Sequence, residues 1–235
     1  MEPHAGLTGL LLILAVYLSI PCAAQQPRQT TNESASPQQQ PPATKPTEPY
    51  LVVLGIAQDG GYPQAGCQRE CCARAWRDAS LRRGVSCLGI VDPATGERWL
   101  LDATPDFPRQ LRVLDGLAPS TSVPGLAGIL LTHAHMGHYT GLMHLGREAI
   151  GARRVPVYAM PRLREFLSSS RPWDQLVRLE NIELRTLRAD EPVALNGRLT
   201  ATPIPAPHRD EYSETVGFRI KGPNHSVLYI SDIDK

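Results

Sequence analysis

Residues 129–142, ILLTHAHMGHYTGL, constrain this chain more than any other stretch. Three histidines, His133, His135 and His138, fall within six residues, directly after an apolar run. Such a run, bounded by polar residues, predicts a buried strand over 126–133. Alternation along a strand puts His133 and His135 on one side, and His138, a turn later, can point back toward them. Neutral imidazoles suit Zn2+ and related transition ions. In open α/β sheets, ligands gather where a buried strand ends and a helix begins. The pattern therefore predicts a metal centre, against the plainer reading of three loop or capping histidines.

The rest of the chain predicts one folded domain behind two N-terminal segments. Residues 7–24 are apolar over less than the roughly 20 residues an ideal spanning helix needs, and they end in Cys22-Ala23-Ala24. That predicts a signal peptide over 1–24 and export to the periplasm or beyond, with no membrane span after cleavage. The absence of Lys or Arg from the first six residues departs from the signal pattern and keeps an uncleaved anchor open. Residues 25–49 contain no Leu, Ile, Val, Phe or Trp, so they cannot bury enough surface to offset ordering and read as a disordered linker. From residue 50 onward, strands are expected over 50–57, 86–92, 98–104, 155–160, 182–187, 199–206, 215–222 and 226–232. Helices are expected over 106–117, 140–152 and 161–170. The order implies a layered α/β protein with mixed sheets. With 24 basic and 23 acidic residues and no basic block, no nucleic-acid partner is indicated, and a small-molecule substrate is the expectation. Nothing in the sequence sets the oligomeric state.

Around the histidines the chain resembles the metallo-β-lactamase fold superfamily, whose signature at such a strand end is His-x-His-x-Asp-His. Over 50–235 it is most similar to the pyrroloquinoline-quinone biosynthesis protein B group. The likeness is carried by GGYPQAGC (60–67), LLDATPDFPRQL (100–111), the histidine segment and VYAMPRLREFL (157–167). The resemblance implies a four-layer αβ/βα sandwich with the metal site at the edge between two sheets. It implies His133, His135 and His208 as ligands of a first ion and Asp232 as a bridging carboxylate, with Asp234 a lesser candidate. Of the second ion's ligands it matches only His138. The family's aspartate position is Gly137, and a further histidine would lie beyond Lys235, so the C-terminal part reads as truncated. Two ligands short, the second position leaves the expectation of a mononuclear centre: one catalytic Zn2+, with Fe as the alternative. Asp232 would then orient an attacking water, and His138, if not a ligand, would serve as an acid or substrate contact. The expected activity is hydrolysis by a metal-activated water of an ester, phosphodiester, lactone or similar small-molecule bond. An iron-dependent oxidative enzyme related to pyrroloquinoline-quinone biosynthesis, or a non-catalytic metal or ligand binder, stays open.

Cys67, Cys71, Cys72 and Cys87 read as loop bracing, through a second, structural zinc or a disulfide. Asp102 and Asp106 are expected to cap turns and helix starts, although the resemblance also implies outer support of the metal loop by Asp102. Tyr139 and Tyr212 flank ligand positions and are candidate substrate contacts. His144 is expected on a helix face, His225 in a solvated turn, and HRDEYSE (208–214) at the mouth of the site.

Overall fold

The computed structural model describes residues 46–234. The expected signal peptide, and the expected linker up to residue 45, lie outside the described residues. Strand β1 (Tyr50–Gly55) opens the fold where the apolar pattern begins, followed by α1 (Glu70–Arg77). The hairpin β2 (Cys87–Asp92) and β3 (Glu97–Leu101) leads through α2 (Phe107–Leu117) to β4 (Gly128–Leu130). A single turn, α3 (Met136–Tyr139), and a 3₁₀ segment, Thr140–Leu145, come next. Strand β5 (Val155–Ala159), α4 (Pro161–Ser169), α5 (Asp174–Arg178) and β6 (Ile182–Thr186) complete the first sheet. Strands β7 (Val193–Ala194), β8 (Thr200–Pro205), β9 (Val216–Lys221) and β10 (Ser226–Tyr229) make the second.

The first sheet has the order β1-β2-β3-β4-β5-β6, antiparallel across β1-β2-β3 and parallel from β3 to β6. The second has the order β10-β9-β8-β7 and is antiparallel throughout. Both faces of the first sheet are covered, which is why its strands read as continuous apolar runs. Alternate side chains go to opposite sides. Ile90, Trp99, Leu101 and Leu130 meet Ala201, Val216, Phe218 and Tyr229 between the sheets. Val91, Leu100, Ile129 and Val157 meet Phe107, Leu114, Leu163 and Leu167 of α2 and α4 on the other face. This is the expected mixed α/β sandwich, with a helical layer and both sheets among the described residues.

Three expectations about local structure are corrected. Residues 140–152 do not form an α-helix. The Gly141 amide bonds to Ala103 O (2.8 Å) instead of continuing a helix, and Gly151 turns to φ +60°. His144 accordingly lies in the 3₁₀ segment, its ring stacked 5.9 Å from Phe107. The cysteine region, read as a loop, contains α1, whose first turn carries Cys71 and Cys72. Strand β4 is also shorter than the apolar run suggested, because the chain leaves the sheet at Leu131 to bring its histidines to the edge. No helix among the described residues is long and apolar enough to cross a membrane.

Candidate metal centre

Strand polarity assembles the site. β1, β3 and β4 run in one direction in the first sheet, and β8 and β10 share a direction in the second. Loops leaving the C-terminal ends of these five strands carry Asp59, Asp102, His133–His138, His208 and Asp232. A backbone bond from Val216 N–H to Thr132 O (3.1 Å) ties the sheets together at that edge.

Three imidazoles converge. His133 Nε2 lies 2.9 Å from His135 Nδ1, which lies 3.1 Å from His208 Nε2, and Asp232 Oδ2 is 3.6 Å from the same His208 nitrogen. Beside them, His138 Nε2 lies 3.2 Å from Asp232 Oδ1 and 3.1 Å from Asp59 Oδ1. The four donors His133, His135, His208 and Asp232 fall within 4.8 Å of one another, as do Asp59, His138 and Asp232.

Three of the four rings have an outer partner on the other nitrogen. His133 Nδ1 faces Thr132 Oγ1 (2.9 Å), His135 Nε2 faces Glu211 Oε2 (2.9 Å), and His138 Nδ1 faces Asp102 Oδ2 (2.8 Å). Asp234 Oδ1 lies 3.0 Å from His208 Nδ1, close but out of line for a hydrogen bond. Protons on these outward nitrogens leave four lone pairs aimed inward, the tautomers a bound ion requires. Three lone pairs meeting at about 3 Å repel unless a cation lies between them, so the donor set fits a divalent transition ion.

The electrostatics agree. Burial, reinforced by the neighbouring imidazoles, holds His133 near 3 and therefore neutral. Burial opposes charge on His138, yet Asp102, then Asp232 and Asp59, outweigh it and push that ring up to about 12. The hydrogen bond from His138 holds Asp59 down to about 2, and Asp232 is lowered for the same reason. Carboxylates on both sides of one ring demand a cation, and a proton on Nε2 competes with a metal ion for one lone pair.

Asp102 is fully buried at φ +70°, a left-handed conformation that aspartate tolerates better than most side chains. It caps no helix. It accepts from Thr132 N–H (2.8 Å), Thr132 Oγ1 (3.1 Å) and His138, which is the outer-support role. Asp106 makes no side-chain bond to α2 and instead accepts from Val85 N–H (2.8 Å). Ser213 Oγ accepts from Ala134 N–H (2.8 Å), and Arg162 donates to Asp210 O (2.8 Å), so residues 208–214 are moored over the histidines. Tyr212 is exposed there, 5.9 Å from Phe166. Tyr139 is not a substrate contact: it is buried edge-on against Phe166 and Trp173. His225 is exposed in the β9–β10 turn.

Cys67, Cys71 and Cys72 bring three thiols within 4.8 Å of one another, braced by Trp76 Nε1–H on Cys67 O (2.9 Å) and Tyr62 O–H on Cys71 O (2.6 Å). Cys87 does not join them; it is buried on β2 with Sγ 3.8 Å from Asp102 O. All four are free thiols, so the disulfide alternative is not the state of this structure.

Sequence reasoning missed Asp59 and Glu211. Glu211 was inside the polar mouth segment but had no role, and Asp59 was the one carboxylate in the loop after β1, adjoining the GGYPQ segment.

A family model described as the β-lactamase superfamily domain matches residues 97–235. The chain belongs to that superfamily. Among curated proteins, this superfamily member is 27% identical over 197 residues to coenzyme PQQ synthesis protein B of Xanthomonas oryzae pv. oryzae, covering 77% of this chain and 64% of that one. Its likeness to the same-named protein of Xanthomonas axonopodis pv. citri is 32% over 162 residues, covering 67% and 52%. The chain thus spans less than two thirds of these relatives. Among solved structures it is similar to Zn2+-bound PqqB from Methylobacterium extorquens, with TM-score 0.65 and 26% identity over 77% of this chain and 64% of that chain. A diphosphatase from the PhnP family shares the fold, with TM-score 0.55 and 24% identity over 74% and 62%.

Proposed function

We propose that this chain is a metal-dependent hydrolase, with Zn2+ as its ion, acting on an ester, phosphodiester, lactone or similar bond of a small molecule. The observation that carries the reading is the convergence of His133 Nε2, His135 Nδ1 and His208 Nε2 with the Asp232 carboxylate. The three imidazoles leave the fourth position of a tetrahedral ion open to water, with Asp232 beside it, as catalytic rather than structural sites do. A bound ion would lower the pKa of water toward about 7 and polarise a carbonyl or phosphoryl oxygen. Asp232, a quarter exposed, accepts a hydrogen bond from an incoming water and orients it. His138 is fastened by Asp102 and so acts as a fixed donor group, not as a mobile acid. Glu211 and Tyr212 present a polar and an aromatic contact to a substrate entering at the mouth. We further propose export of the mature chain, supported by the apolar segment at residues 7–24.

The test is metal content and turnover of the full chain beside His135→Ala, on nitrophenyl esters, a bis-nitrophenyl phosphodiester and a lactone. The expected result is loss of one ion and of all turnover in the variant. Equal metal in both proteins would remove the reading. Likeness to coenzyme PQQ synthesis proteins supports one second reading, an oxidative enzyme of cofactor synthesis, with iron as its ion. A coloured iron protein that consumes oxygen and hydrolyses none of the probes would replace the first reading with this one.

A further inference from the structure

The loop after β1 explains the glycine between the second and third histidines. A Cβ on Gly137 would stand 2.6 Å from Asp59 Cγ, 2.8 Å from Asp59 Cβ and 2.8 Å from Asp59 Cα. Because the Asp59 backbone is among those atoms, no rotamer change relieves the overlap. The chain at residue 59, backbone included, and a side chain at 137 are mutually exclusive. The carboxylate occupying that space points at His138 Nε2 (3.1 Å), the nitrogen that also faces Asp232 Oδ1 (3.2 Å).

We propose that Asp59, His138 and Asp232 hold a second divalent cation beside the three-histidine position, and that residue 137 is glycine to admit Asp59. The proposal rests on the metal-hydrolase reading and deepens it. Four observations support it. Asp232 turns one oxygen toward each group, Oδ1 to His138 and Oδ2 to His208. The His133 and His138 ring centroids are 4.3 Å apart, so the two donor sets adjoin. Asp102 holds the His138 Nδ1 proton and leaves Nε2 free to ligate. Asp59, Asp102 and Asp232 place three negative charges around one imidazole, and one divalent ion in place of a ring proton brings that group closer to neutrality. The Asp59 side chain is 36% exposed, so the position opens to substrate. With two carboxylates and one imidazole as donors, the site suits Zn2+, Mn2+ or Fe2+. An ion here would supply a second positive charge beside the three-histidine position, the kind of charge two-metal hydrolysis uses. The mononuclear expectation is thereby revised: the glycine removes one donor and makes room for another.

The experiment counts ions in the full chain after reconstitution with Co2+, by elemental analysis and visible absorption. Four proteins are compared with the parent: His135→Ala, Asp59→Ala, Asp59→Asn and Gly137→Asp. The expected result is loss of one Co2+ equivalent in Asp59→Ala and in Asp59→Asn, with the absorption of the histidine-held ion retained. Gly137→Asp should fold poorly. If Asp59→Ala binds as many ions as the parent while His135→Ala loses one, the second site falls and the hydrolase reading stands. If His135→Ala loses none, the hydrolase reading itself falls. If Asp59→Ala fails to fold, the near-isosteric Asp59→Asn decides: a count one below the parent supports the second site, and a parental count overturns it.

Discussion

Replacing Asp102 by asparagine changes few atoms and should cost much. The carboxylate is fully buried and accepts three bonds, two from Thr132 and one from His138. An amide can keep its oxygen toward Thr132 N–H, but its NH2 then meets the His138 Nδ1 proton. Turned the other way, the NH2 meets the Thr132 amide. Either orientation leaves a buried donor facing a donor unless His138 gives up its Nδ1 proton, and in every case the charge balancing His138 is gone. Removing one member of a buried pair costs about 3–5 kcal/mol. For a domain of this size each kcal/mol lowers Tm by about 2–4 °C, so Asp102→Asn should melt about 6–20 °C lower with chelator present. His138 would also move its proton to Nε2, the nitrogen facing Asp59 and Asp232, so metal affinity there should fall by roughly 10–100-fold. Differential scanning calorimetry and competition against a chromogenic chelator read the two effects. A Tm within about 2 °C of the parent would refute the reasoning, because no rearrangement satisfies all three donors at so small a cost.

Glu211→Gln should weaken the ion at His133, His135 and His208 by about tenfold, the low end for an outer carboxylate because this one is half exposed. Unchanged affinity in the same competition assay would mean that solvent replaces Glu211. Gly141→Ala should destabilise by at least about 1–3 kcal/mol, since a Cβ there stands 2.2 Å from Thr104 O and 2.8 Å from Ala103 C, both backbone atoms that cannot yield. An unaltered denaturation midpoint would contradict the packing of that 3₁₀ segment on the β3 loop. Cys67→Ser should lower zinc uptake by one equivalent without altering the ion held by the histidines. A Cys67–Cys72 disulfide found by mass spectrometry in the non-reduced protein would speak against a thiol-bound ion.

Strand and helix positions were largely legible because their cues are local. The β2–β3 hairpin follows from two apolar runs around Pro93-Ala94-Thr95-Gly96, and α4 from Pro161 ahead of a periodic apolar face. The failures arose where tertiary contacts outweighed local pattern. Residues 140–152 have a helical distribution of apolar side chains, but the close approach of Gly141 to the β3 loop takes its amide out of any helix. Tyr139, adjacent to a ligand in sequence, points into the core because α3 is a single turn and its next position faces Phe166 and Trp173.

By itself the sequence determined a metal-capable strand end, a mixed α/β framework and the fact that residue 137 offers no donor. His133, His135 and His138 announce themselves because their spacing is short enough to read along one segment. His208 and Asp232 were reached only through resemblance, since nothing local marks a lone histidine after Pro207 as a partner of His135. Only the tertiary structure decided what Gly137 is for. Asp59 and His138 are 79 positions apart in the chain, and their meeting depends on β1, β3 and β4 running parallel with their ends at one edge. A missing side chain is visible in a sequence, whereas the atom that fills its space is visible only once strands distant along the chain have paired.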